Sequence, residues 1–361
     1  MKDSKSSRII KTAAILALLY LFLVSIQLMG DSFKLFGKGF AEALISGTSH
    51  PFAGLVIGIL ATSIAQSSSL TTSIVVGVVA GGALTIENAI PIIFGANIGT
   101  SVTNTVVSIA HIGRSKEFKK AFAASTVHDF FNLITVIILF PIQITTDFLG
   151  KFVSWFSQMF AAGSDVTFNS PVKAIVKPFA HLILNIIGKH PVIALIVAIV
   201  LLFFSLRYMM KIMSGVVLSK VEGFFGKYIF KTPVRAIMFG MIVTIIVQSS
   251  SVTTSIAVPL AAAGILSLQQ IFPYTMGSNI GTTITAFMAA LATGSIPALA
   301  VALAHLIFNV LGCIIVWPIR FIPIWLAEKL AEISTKNKII PIAYVLVTFF
   351  GLPLLLMYFF G

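Results

Sequence analysis

The chain has 361 residues, 58% of them hydrophobic and 10% charged, and a formal net charge of +13. So few polar side chains could not cover a water-facing surface, which excludes a soluble globular domain. The basic residues sit in short segments between apolar runs, where they orient a membrane protein by attraction to the cytoplasmic side, and this excludes nucleic acid as a partner.

In chain order, Lys2, Lys5, Arg8 and Lys11 precede a first apolar run at 12–30. That run is long and shows no clear small-x-small cleavage site, so residues 1–50 read as a retained anchor helix and loop with a cytoplasmic N-terminus. Further runs at 89–110, 121–142, 190–211, 270–291, 298–318 and 339–360 bring the expected crossings to seven, each near the roughly 20 residues a hydrocarbon core requires. The mixed segment 143–189 is expected along the membrane surface, and Lys211 to Lys231 as a second amphipathic stretch on the other side. The single Cys313 excludes an internal disulfide and reads as a packing residue.

Within these runs a polar motif occurs twice. Gln66-Ser67-Ser68-Ser69 returns as Gln248-Ser249-Ser250-Ser251, an offset of 182 that also pairs Gly58 with Gly240, Thr72 with Thr254 and Pro91 with Pro273. Thirty-one residues after each Gln comes an Asn box, Asn97-Ile98-Gly99-Thr100 and Asn279-Ile280-Gly281-Thr282. After a five-residue contraction, His128 falls opposite His305 and Asn132 opposite Asn309. The expected organisation is therefore repeat 1 at 51–142, an intervening segment with a crossing helix at 143–232, repeat 2 at 233–319, and a C-terminal loop and helix at 320–361.

Charge places the repeats upside down relative to each other. The loop expected after the first Asn box carries Arg114, Lys116, Lys119 and Lys120, whereas the equivalent loop of the second repeat, Ala292-Thr293-Gly294-Ser295, carries no charge. The apolar stretches beside each tetrad, 52–65 with 70–82 and 236–247 with 252–264, are too short to span singly, and a re-entrant hairpin in each repeat restores the parity of crossings. The fold expected is an all-α polytopic membrane protein with two inverted-topology repeats, each holding a re-entrant helical hairpin.

A chain break at membrane depth survives only in a protein-lined or watery cavity. Clustered hydroxyls satisfy loose backbone groups there and offer oxygen ligands to a hard cation, while the N-terminus of the second half-helix favours an anion. Of the eleven acids only Asp129 lies within an apolar run, and neither repeat carries Lys or Arg in its core. An anion held there would need bound cations to neutralise it. An intramembrane carboxylate is a functional candidate, and a membrane histidine more often serves as a hydrogen-bonded packing group. No nucleophile-base-orienter set is recognisable, so no catalytic residue and no enzyme activity is expected.

The tetrads, the phrase Ala89-Ile90-Pro91-Ile92-Ile93 leading into the first Asn box, Val127-His128-Asp129-Phe130-Phe131-Asn132, and the matching phrases of the second half resemble the type II sodium/phosphate cotransporters. The resemblance implies a compact bacterial member in the inner membrane, coupling sodium to inorganic phosphate with no cofactor beyond the co-transported sodium. It implies phosphate contacts from Ser67, Ser68, Ser69, Ser249, Ser250 and Ser251. It implies sodium coordination by Gln66, Gln248, Thr72, Thr253, Thr254, Asn97, Asn279, Thr100 and Thr282. Asp129, His128, Asn132, His305 and Asn309 are candidates for coupling or gating. The partners expected are phosphate, sodium, the lipid bilayer and a second copy of the chain in a homodimer. Two alternatives share the scaffold: cation-coupled transport of sulfate or a carboxylate, and a non-translocating phosphate sensor.

Overall fold

A computed structural model describes residues 5–162, 170–221 and 229–360, which are helical with no strand among the described residues. Helices α1 (Lys5–Phe36) and α2 (Lys38–Gly47) lead into a broken pair, α3 (Pro51–Ala65) and α4 (Ser68–Ala80). Next come α5 (Ile86–Thr100), α6 (Val102–Ile109), α7 (Ser115–Thr146), α8 (Phe148–Ala162), α9 (Pro171–Ile186) and α10 (Pro191–Val221). The second half holds its own broken pair, α11 (Pro233–Val247) and α12 (Ser250–Ala262), then α13 (Leu268–Thr293), α14 (Ile296–Val316) and α15 (Phe321–Lys336). The last helix is divided into α16 (Ile339–Leu346) and α17 (Leu352–Phe360) by a π-turn at Val347–Gly351.

Among the described residues six helical segments are long and apolar enough to cross a membrane: Ile9–Phe36, Ile86–Ile109, Ser115–Thr146, Pro191–Gly215, Ile296–Val316 and Ile339–Phe360. The chain is a multi-pass membrane protein. The run at 270–291 forms α13, 26 residues and about 39 Å long, yet it is less apolar than those six. It is enclosed by α11, α4, α14 and α7, so its Ser278, Asn279, Thr282 and Thr285 face protein rather than lipid.

Other local readings shift in ways the chain explains. Lys116, Lys119 and Lys120 stand on the first turns of α7, not in a loop, because the turn ends at Arg114 and Glu117 supplies a carboxylate at the helix N-terminus. The stretch from Lys211 continues the crossing helix α10 through Gly215 as far as Val221, with no Pro to stop it; residues 222–228 lie outside the described segments. The segment 143–189 contains the end of α7, α8 and α9, with 163–169 likewise outside them.

Both breaks use the same backbone. Gln66 (φ 53°) and Gln248 (φ 60°) close α3 and α11 in the left-handed region, and Ser67 and Ser249 follow in extended conformation to open α4 and α12. A non-glycine residue there costs about 1–2 kcal/mol, and such strain persists where surrounding packing enforces it. The chain then doubles back. Thr62 Oγ1 donates to Thr71 Oγ1 at 2.9 Å across nine residues that a continuous helix would separate by about 13 Å. Asn88 Nδ2 donates to Ile45 O and Thr48 Oγ1, tying the end of α2, just before α3, to the start of α5. Likewise Gln270 Nε2 reaches Phe230 O, joining the entrance of α11 to that of α13.

Each first half-helix lies against its own repeat, α3 on α5 and α11 on α13. Glycine makes this approach possible: a Cβ at Gly58 or Gly95 would run into the carbonyl of Ile92 or Leu55, and one at Gly240 or Gly277 into that of Tyr274 or Ile237. Each second half-helix crosses to the opposite repeat as well, α4 onto α13 and α14, α12 onto α6 and α7. This exchange brings the two breaks together.

Candidate functional site

Ser69 Oγ donates to the carbonyl of Gln248 at 3.3 Å, so one break touches the other. Ser251 Oγ donates to Thr100 O at 3.4 Å, joining the second tetrad to the end of the first Asn box. Ser67 and Ser249 act as N-caps, their Oγ accepting from Leu70 N and Val252 N, each at 3.2 Å. The amides of Ser68, Ser69, Ser250 and Ser251 head the two half-helices, the positions that α-helical bonding leaves unspent. Two helix N-termini therefore converge on one serine-lined junction.

The threonines are placed around it. Thr253 and Thr254 Oγ1 donate to Ser249 O and Ser250 O at 2.8 and 2.7 Å, and Thr72 Oγ1 to Ser69 O at 3.4 Å. Thr100 and Thr282 Oγ1 bond back to Ala96 O and Ser278 O, each at 3.0 Å. These bonds use the single hydroxyl proton and leave oxygen lone pairs available to a cation.

A chain of side chains then runs between the repeats. Asn97 Nδ2 donates to Ile93 O at 2.9 Å, and Asn132 Nδ2 donates to Asn97 O at 2.7 Å. Asn279 Nδ2 donates to Asn132 Oδ1 at 2.7 Å, which presents Asn279 Oδ1 as the acceptor for His128 Nε2, also at 2.7 Å. With Nε2 carrying the proton, His128 Nδ1 accepts from Asn104 Nδ2 at 3.4 Å. Asn104 Nδ2 also donates to Thr254 Oγ1 at 2.6 Å, and Ser255 Oγ donates to Asn104 Oδ1 at 2.8 Å. Asn97, Asn132, His128, Asn279 and Thr254 are thus joined by Asn104, a residue the repeat comparison passes over. Its sequence signal is its place seven residues after Asn97, two helical turns along the same face.

His305 and Asn309 are not drawn into this chain. Both are buried on α14, Asn309 Nδ2 bonds only to His305 O at 3.0 Å, and His305 Nδ1 and Asn309 Oδ1 have no partner. The two glutamines also differ. Gln248 is buried, with Oε1 accepting from Thr285 Oγ1 at 2.9 Å and Nε2 bonded to Ile245 O, whereas Gln66 is exposed at a cavity of about 150 Å³ shared with Phe203 and Arg207 of α10.

Asp129 is the one fully buried Asp, Glu, Lys or Arg among the described residues. Its Oδ2 accepts from Thr105 Oγ1 and from Tyr344 Oη, each at 3.0 Å, and its Oδ1 has no partner. Tyr344 comes from α16, outside both repeats. A buried carboxylate oxygen without a donor is costly, of order 1–3 kcal/mol or more, and a bound cation or proton would relieve it.

Paired broken helices meeting inside an all-α membrane bundle are an architecture found among ion-coupled secondary transporters. The chain belongs to the Na+/Pi-cotransporter family, whose model matches residues 21–163 and 201–317. It is 32% identical over 94% of its length to sodium-dependent phosphate transport protein 2B of Homo sapiens, and to the same extent to that of Pongo abelii. It is also 32% identical over 96% of its length to sodium-dependent phosphate transport protein 2A of Mus musculus. The chain spans 64% of the length of the two 2B proteins and 67% of the 2A protein. No solved structure matches it.

Proposed function

We propose that the protein is a sodium-coupled secondary transporter of inorganic phosphate, with the anion held where the two tetrads meet. The contact of Ser69 with Gln248 carries this reading, because it puts both half-helix N-termini at one place. Each helix N-terminus contributes about half a positive charge, together roughly one, against the two negative charges of hydrogen phosphate and the one of Asp129. Among the described residues no Lys or Arg is buried to make up the difference, so about two sodium ions are needed for neutrality. The free oxygens of Thr72, Thr100, Thr253, Thr254 and Thr282, the carbonyl end of α11 at Gln248, and Asp129 Oδ1 are the ligands on offer; the side chains of Asn97 and Asn279 hold the cage in shape.

The repeats act as inverted units at 51–142 and 233–319, and alternating access exchanges the environments of their two breaks. The exposed Gln66 and buried Gln248 are the two ends of that exchange. The N-terminus is cytoplasmic, with Arg114, Lys116, Lys119 and Lys120 on the same side of a bacterial inner membrane, and a homodimer is the proposed assembly.

Proteoliposome uptake tests the proposal. An inward sodium gradient raises the initial rate of labelled phosphate uptake at least about tenfold over a potassium gradient. Uptake that ignores sodium and follows a pH gradient, or binding without counterflow exchange, contradicts it. In the same assay Asp129→Asn keeps the protein inserted but lowers apparent sodium affinity about tenfold or more, the loss of one charge-assisted ligand worth roughly 1.5–3 kcal/mol. Unchanged sodium dependence in Asp129→Asn removes it from the coupling site.

A further inference from the structure

At the far end of α4 from the tetrad lies a second polar cavity, about 230 Å³, walled by the end of α1, the start of α9, Ala80 and the turn Thr293-Gly294-Ser295. It is about 18 Å along α4 from Ser68. Lys34 and Lys173 line it, with Asp31 and Gln27. The neighbouring charges are Lys177, which acts on Lys173, and His181, whose Nε2 lies 3.6 Å from Asp31 Oδ2. Asp31 meets Lys34 only at 3.7 Å, a loose pair, and its Oδ2 accepts from Gln27 Nε2 at 2.8 Å. Two lining lysines, with Lys177 acting on one of them from outside the lining, thus stand against one carboxylate.

The cations are held against their own repulsion. Burial, then Lys34 and Lys177, push the Lys173 amine below its ordinary range, while Asp31 pulls it back only in part. The turn Gly294-Ser295 opens the 21-residue helix α14, which adds the positive end of its dipole. Gln27 is 3% exposed and its Oε1 has no hydrogen-bond partner. An oxyanion that still carries a hydrogen fits all of these at once: its charged oxygens accept from Lys34 and Lys173, and its hydroxyl donates to Gln27 Oε1.

The same kind of corner recurs in the second repeat. Just past the end of α12, at Gly264, and beside the start of α7, a larger cavity of about 680 Å³ is lined by Lys119, Lys120 and Lys329 together with Glu328 and Glu332; Lys329 pairs with Glu332 at 3.4 Å, and among the described residues no acid lies within ion-pair distance of Lys120. A lysine-bearing cavity therefore lies beside the distal end of the second half-helix in both repeats, with Glu328 and Glu332 offsetting part of the charge in the second.

We propose that the Lys34–Lys173 cavity is an antechamber that binds hydrogen-bearing phosphate on the side opposite the N-terminus, before it passes to the tetrads. This rests on the transport reading, and the two fail in different ways. The test is equilibrium binding of labelled inorganic phosphate to the full chain at low ionic strength, in discs of phosphatidylcholine. The wild type shows a sodium-dependent site and a weaker sodium-independent one. Lys34→Gln with Lys173→Gln removes the sodium-independent site alone, Lys34→Arg with Lys173→Arg retains it, and Ser69→Ala with Ser251→Ala removes the sodium-dependent site alone.

In transport, the glutamine variant slows uptake at sub-saturating phosphate by about tenfold and leaves the saturated rate unchanged, a difference that disappears in 1 M salt where the Debye length is about 3 Å. Retention of both sites in the glutamine variant overturns the antechamber. So does loss of the sodium-independent site in discs of phosphatidylglycerol, which would assign the lysines to a lipid headgroup. Absence of the sodium-dependent site while the other persists defeats the transport reading and leaves the cavity standing.

Discussion

Gly277→Val yields no folded protein: expressed and extracted like the wild type, it gives an aggregated profile on size exclusion in place of a monodisperse peak. The added Cβ would run into the Ile237 carbonyl, and a backbone atom cannot swing away as a flexible side chain can. α11 and α13 must separate along their shared face, and the same face positions Gln248 and Asn279. Overpacking of this kind costs about 1–3 kcal/mol for a single methylene where side chains can adjust, and more where they cannot. Gly277→Ala is the milder form and lowers the melting temperature without abolishing the peak. Gly47→Val, where no atom lies within 4 Å of the new Cβ, leaves both measurements unchanged. A monodisperse Gly277→Val protein with wild-type melting would contradict the close helix contact.

The second large effect centres on Asn279. Asn279→Leu keeps the volume and removes both amide bonds, leaving the His128 Nε2 proton and Asn132 Oδ1 buried without partners. Each orphaned group costs about 1–3 kcal/mol, so the variant loses roughly 2–6 kcal/mol of stability in the bundle centre. If only 1.4 kcal/mol of this falls on the binding-competent arrangement, phosphate uptake drops about tenfold. A double-mutant cycle with Asn132→Ala identifies the cause, because two residues in direct contact show a coupling of about 0.5–3 kcal/mol. Additive losses would mean that the chain of bonds through Asn279 does not act as a unit.

The break positions were legible in the sequence because a helix interrupted by consecutive serines, twice at one spacing, has few other uses in an apolar chain. Gln66-Ser67 and Gln248-Ser249 are where α3 and α11 end, and the flanking helices keep the short lengths expected of half-spans. Repetition also has blind spots. Asn104 links His128 to Thr254, yet its counterpart at the 182-residue offset is Ala286, so comparing the copies hides it. Tyr344 lies outside both copies and reaches Asp129 only through the packing of the last helix.

Duplicated residues can also occupy unequal surroundings. Gln66 and Gln248 share a backbone conformation but not an environment, and His128 is bonded at both ring nitrogens while His305 keeps an unpartnered Nδ1. A sequence fixes the torsions each copy prefers. Which copy is packed inward depends on how α4 and α12 lie across the opposite repeat, and that is a tertiary balance no local pattern encodes.

The lysines of α7 illustrate a smaller gap. Charge marked Lys116, Lys119 and Lys120 as belonging to one end of the bundle, and they stand there, but on the first turns of a helix rather than in a loop, with Lys119 and Lys120 lining the cavity of about 680 Å³. At the other end the turn 292–295 is uncharged in sequence, and Lys34 and Lys173 reach it from α1 and α9, far away along the chain.

The most direct test of the account is an experimental structure of the protein with phosphate and sodium bound. Density for the anion between the first turns of α4 and α12, within hydrogen-bond reach of amides from both tetrads and flanked by cation density near the threonines, is the result predicted. Phosphate contacting one repeat alone, or residues 51–80 forming an uninterrupted span, would contradict it.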